Sequence, residues 1–181
     1  MDTELDRILA DDYLVDLERR PVADLRTLRA ECQAVETQLS YLRRMVQGRH
    51  DIVTGEISRR SSGGDRYDVS DLVERLPEIL SDRIHAPGPG RLPPNMEPGE
   101  LSGRLADRLA EITERVPIES PGDADDAQLA EAASELGELE HEVSGFRRQL
   151  FDRIDTLQAE ITRRYRSGEA RVDDVLSGPG T

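Results

Sequence analysis

The feature that most constrains this chain is a run of apolar residues spaced three and four apart, which occurs twice. The first run is Leu25, Leu28, Cys32, Val35, Leu39, Leu42, Val46, Arg49 and Val53. The second is Leu129, Ala132, Leu136, Leu139, Val143, Phe146, Leu150, Arg153 and Leu157. Such spacing keeps one narrow seam of a helix turned toward a partner, and over four heptads it specifies a coiled coil. It predicts one helix over 22–60 and a second over 126–167. One Arg interrupts each seam, and its side chain is long enough to carry the guanidinium to the seam's edge. Gly48 and Gly55 weaken the first helix by about 1 kcal/mol each relative to Ala, and leave room for close approach to its backbone.

Composition agrees with this architecture. Charged residues make up 34%, aromatics only 3%, and Trp is absent, so few large side chains exist to fill a globular core. The expected fold class is all-α: a long antiparallel two-helix coiled-coil hairpin, with short amphipathic helices in the connecting segment. Residues 1–20 read as a short N-terminal helix stopped by Pro21. Residues 61–125 form the connection, with amphipathic pieces at 70–84 and 98–116 on either side of a proline-rich stretch. Residues 168–181, with Gly178-Pro-Gly180 near their end, read as a flexible tail.

The two helices are copies. At an offset of 104 residues every seam position has its counterpart, Arg49 with Arg153 included. Between 36–60 and 140–164, 10 of 25 positions are identical, where composition alone gives roughly two or three. Nine of the ten are polar, so heptad phasing does not explain them. A duplicated helix can pair with its copy about a pseudo-twofold axis. An antiparallel pair sets that axis across the helices and can bring the two copies of a motif to one level.

The polar residues inside the repeat form a stripe. Glu36, Ser40, Arg43, Gln47 and Asp51 step by four, three, four and four, and return as Glu140, Ser144, Arg147, Phe151 and Asp155. That spacing lays them along one face of each helix. A charged flank beside an apolar seam is the ordinary state of a coiled coil, but a solvated flank needs only charge and gives Ser and Asp no reason to recur in register. Arg43-Arg44 and Arg147-Arg148 recur at one level, and clustered like charges suit an anion. Arg donates two parallel bonds to guanine O6 and N7. A carboxylate accepts from the guanine N1–H and amine, while Ser, Gln and the second Arg suit sugar and phosphate oxygens. A pseudo-twofold site favours a twofold ligand, such as a cyclic dinucleotide of guanine.

The pattern Glu-x3-Ser-x2-Arg-x3-Gln-x3-Asp on two helices resembles the cyclic-di-GMP signature of actinobacterial RsiG-type anti-sigma factors, partners of the sporulation sigma factor WhiG. The resemblance implies a hairpin that binds two cyclic-di-GMP molecules and sequesters the sigma factor when so armed. The first motif matches at all five positions; the second has Phe151 where the pattern asks for Gln, and Phe can stack on a base instead.

Net charge is -14, which disfavours direct binding to DNA or to an anionic membrane and suits a basic partner. The nine acids from Glu119 to Glu142, with no Arg or Lys among them, read either as a solubilising surface or as one that competes with DNA for a basic sigma domain. The single Cys32 fits a reducing cytoplasm, and no signal peptide or membrane span is legible. Neither metal-ligand spacing nor a phosphate loop appears, so an enzyme is not expected. The rival expectation is a coiled-coil adaptor that binds no nucleotide. Either way the chain should be mostly helical and elongated in solution; small-angle scattering that fits a compact sphere would exclude the hairpin.

Overall fold

The computed structural model describes residues 2–63 and 103–169. They form four α-helices: α1 (Asp2–Leu9), α2 (Val22–Ser61), α3 (Arg104–Arg115) and α4 (Asp126–Ser167). Single 3-10 turns at Leu17–Arg19 and Pro121–Asp123 lead into the two long helices, and no strand occurs among the described residues. At 1.5 Å per residue α2 and α4 are each about 60 Å long. They pack antiparallel along their length, with Arg26 of α2 beside Tyr165 of α4 at one end and Arg60 beside Asp126 at the other. The hairpin expected from the two seams is therefore the fold. The pieces at 70–84 and 85–98, and the tail beyond Glu169, lie outside the described residues.

The ends of the long helices follow from their sequences. Pro21 opens α2, where a missing N–H costs nothing, and its carbonyl accepts from Asp24 and Leu25. Asp125 caps α4 in a reciprocal box: its carboxylate accepts from the Gln128 N–H, and the Gln128 side chain accepts from the Asp125 N–H, both at 2.8 Å. Gly63 and Gly168 follow the two C-termini at φ 71° and 76°, a left-handed conformation that is unstrained only without a Cβ.

Leu25, Cys32, Val35, Leu39, Leu42, Val46 and Val53 are buried, as are Leu129, Ala132, Leu136, Leu139, Val143, Leu150 and Leu157. Burying each Leu or Val stabilises the pair by about 1.5–3 kcal/mol. Leu28 and Phe146 pack against this core from its rim. The two glycines that left room for close approach meet nothing: a Cβ on Gly48 or Gly55 would find open space.

The N-terminal helix is shorter than the 1–20 expected. It stops at Leu9, ahead of Asp11-Asp12, whose negative charges oppose the dipole at a helix C-terminus. The carbonyls it leaves open are taken by the seam arginine of α4: Arg153 Nη2 donates to Leu9 O at 2.6 Å and Ala10 O at 3.3 Å. The backbone then turns through Asp16, at φ 57°, into the 3-10 turn. The piece expected over 98–116 is helical from Arg104 and packs back on the hairpin against α4.

The repeat reaches further than the long helices. At the same offset of 104 residues α1 corresponds to α3 and each 3-10 turn to the other. Leu5 and Ile8 are buried as Leu109 and Ile112 are. Each turn is held by an arginine from the other repeat. Arg60 Nη2 donates to Gly122 O at 3.1 Å and Ala124 O at 2.7 Å; its counterpart Arg164 donates to Leu17 O and Arg20 O. Behind each arginine stands a glutamate. Glu56 accepts from Arg59 and Arg60, and Glu160 accepts from Arg163 and Arg164.

The hydrogen bonds from Arg59 and then Arg60 hold the Glu56 carboxyl down to about 2, and those from Arg163 and Arg164 do the same for Glu160, against an ordinary 4.5. A depressed carboxyl stabilises the fold above its ordinary range, and that stabilisation is lost as pH falls from 4.5 towards 2. Glu56→Gln should therefore destabilise the chain at neutral pH, and the gap to wild type should close as pH approaches 2. Denaturant melts at both pH values test this, and a gap of equal size at both would contradict it.

Candidate functional site

The antiparallel register brings the two stripes face to face. Flank residues on the same side of the seam in each helix meet those of the other, so the acid of one stripe reaches the arginine of its copy. Arg43 Nε donates to Glu140 Oε1 at 2.7 Å, and Arg147 donates through Nε and Nη2 to Glu36 Oε1 at 3.1 and 2.9 Å. Ser40 Oγ donates to Glu36 Oε1 at 2.6 Å and Ser144 Oγ to Glu140 Oε1 at 3.0 Å, each along its own helix. The result is two Glu–Ser–Arg clusters related by the pseudo-twofold axis, each built from both helices.

The structure thus gives the stripe a different internal chemistry from the one its residue types suggest. The serines and Gln47 are turned to the glutamates, and Arg43 and Arg147 each have a carboxylate already. That neutralises the recurring like charge without an added anion. The exposed Arg44 and Arg148 have no ion-pair partner among the described residues, so a second positive charge remains outside each cluster. Asp51 and Asp155 stand at the outer ends of the stripes, exposed, one turn beyond Gln47 and Phe151.

The clusters are not identical. Gln47 Nε2 donates to Glu140 Oε1 at 3.2 Å, so that carboxylate oxygen receives three side chains. Burial alone would raise the Glu140 pKa, but the bonds from Arg43, Ser144 and Gln47 hold it below the usual carboxylate value. In the second cluster Phe151 has no donor to offer. Its ring lies beside Arg147, with Cζ 5.5 Å from the ring centroid, in cation–π range. The Arg147 and Glu36 side chains are 19% and 16% exposed, against 35% and 29% for Arg43 and Glu140. The Phe151 side is the drier one.

The acidic run is mostly occupied. Arg115 of α3 pairs with Glu131 and Glu135, Arg108 with Glu138 and Glu142, and Arg104 with Glu142. Arg60 takes Asp126 and Arg43 takes Glu140. Six of the nine acids are therefore paired within the chain, and the open acidic face expected from the sequence is instead partly covered by the basic side of α3. No helix among the described residues is long and apolar enough to cross a membrane.

Fold and site together define a class: an all-helical coiled-coil hairpin whose two like helices present a duplicated polar site at their common flank. Within that class the chain belongs to the RsiG-like family, whose model matches residues 11–80 and 116–178. Membership carries the family's anti-sigma role, and with it a sigma factor as the kind of partner. No curated protein matches the chain.

The unequal burial has a measurable consequence. A double-mutant cycle on Arg147 and Glu36 should return a coupling energy on the order of 1–2 kcal/mol, and one on Arg43 and Glu140 about 0.5 kcal/mol, because screening weakens the wetter pair. Equal couplings from denaturant melts would show that the two clusters are energetically alike.

Proposed function

We propose that this chain is a cyclic-di-GMP-responsive anti-sigma factor that sequesters a WhiG-type sigma factor in the cytoplasm, acting by binding and not by catalysis. The observation that carries the reading is the pair of crossed Glu–Ser–Arg clusters about a pseudo-twofold axis. A cyclic dinucleotide of guanine, or two of them, has matching symmetry. The crossed pairs would hold Arg43 and Arg147 in place before any ligand arrives. The bond to Glu140 uses only Arg43 Nε, which leaves both terminal nitrogens to donate to guanine O6 and N7. Asp51 and Asp155 would accept from the Watson–Crick edge, and Arg44 and Arg148 would meet phosphate. The sigma factor is contacted directly, and DNA and membrane are not.

A second reading has its own support. Because the glutamates already satisfy Arg43 and Arg147, the clusters also suit a structural pin that fixes the register of a nucleotide-independent adaptor. The two readings differ in what mutation does. On the first, Arg43→Ala, Asp51→Ala, Arg147→Ala and Asp155→Ala each weaken cyclic-di-GMP binding, with about 1–3 kcal/mol, roughly ten- to hundredfold, for the loss of a bidentate Arg contact. Helicity should stay near that of wild type. Calorimetric titration with cyclic-di-GMP, alongside linear and adenine analogues, measures this. Normal binding by all four variants defeats the nucleotide reading. Capture of the sigma factor to the same extent without nucleotide defeats the armed switch and favours the adaptor.

A further inference from the structure

We infer that the two halves of the site hold a ligand by different means, and that Phe151 is a stacking platform for one purine ring while the Gln47 half works by hydrogen bonds alone. The inference rests on the nucleotide reading above and concerns how each half would recognise it. Three observations carry it. Phe151 is 45% exposed, and the only other exposed large hydrophobic side chain among the described residues is Val15, in the turn after α1. An exposed ring on the stripe itself, in register with Gln47, is apolar surface placed where a ligand would lie. The ring is also held: the Arg147 guanidinium 5.5 Å from its centroid restricts it, and a fixed ring loses less freedom on binding than a mobile one.

The third observation is the state of the arginines. Arg43 spends one nitrogen on its glutamate, whereas Arg147 spends Nε and Nη2. The Phe151 half therefore has less of its guanidinium fork left to read a base edge, and no amide to add. What it has instead is a flat face. Stacking depends on the π-face that every base carries and not on the pattern of donors and acceptors at its edge. The Gln47 half would then discriminate among bases, and the Phe151 half would add affinity with little discrimination.

The chain contains no Trp, so Phe151→Trp introduces a unique fluorophore at the platform. Guanine stacked on an indole quenches its emission. The test uses the full-length chain with cyclic-di-GMP, and compares Phe151→Trp, Phe151→Leu and Phe151→Ala by calorimetry. The Trp variant should bind within about twofold of wild type and lose emission in step with calorimetric saturation, while Leu and Ala should each bind roughly tenfold more weakly. Thermal melts should fall only slightly for Leu, since the side chain is half-exposed and gives up one cation–π contact. Wild-type affinity in the Leu variant, or binding by the Trp variant without quenching, overturns the stacking role and leaves the nucleotide reading standing. Absence of binding by wild type overturns the nucleotide reading, and this inference with it.

Discussion

Everything in this molecule depends on the apolar seam between α2 and α4. Its burial supplies the driving force that the sparse aromatic content cannot, and its spacing fixes which residues flank it. Once the pair is antiparallel, the flank of one helix runs against the same flank of its copy. A single motif carrying an acid and an arginine seven residues apart then meets its reverse, acid to arginine at both ends. Duplication and antiparallel packing together make the crossed clusters; neither would do so alone. The unequal wetness of the clusters lies outside the seam, on the stripe, where Phe151 stands on the drier flank and Gln47 on the wetter one.

Much of this was legible in the sequence. The three–four spacing located both long helices to within a residue, since nothing competes with a seam of that length. The stripe is legible as a motif, but its internal pairing is not: Glu36 and Arg147 share no sequence neighbourhood, and only the register joins them. The signal existed, since like flank positions meet across an antiparallel seam. The partners of the acidic run are hidden because composition counts charge without its pairing, and Arg104, Arg108 and Arg115 lie on a separate helix that folds back.

Other features were out of reach for a different reason. The short helices α1 and α3 share only Leu5 with Leu109 and Ile8 with Ile112 at identical positions within their spans, too little for a repeat to register by eye. Their equivalence shows in the matching burial of these two pairs, which only the folded chain displays. Arg153 shows how the copies have diverged. It closes the end of α1 through Nη2, while its counterpart Arg49 has Nη1 buried without a hydrogen-bond partner among the described residues; the Nε of both is unpartnered there. α3 runs on to Arg115, two residues past the position matching the end of α1. Burial pulls the Arg49 pKa below the ordinary guanidinium value, with Glu119 partly offsetting it.

The arginine-held turns carry a consequence for the chain as a whole. Arg60 belongs to the first repeat and grips the entry to the second; Arg164 belongs to the second and grips the entry to the first. The repeats are thus interlocked, each completing the other's threshold, and neither is a self-sufficient module despite descending from one unit. Cutting the backbone between residues 63 and 103 would leave every seam contact and grip among the described residues in place. The two fragments would still be each other's natural complement, and reassembly would become an association governed by concentration where it is now an intramolecular event.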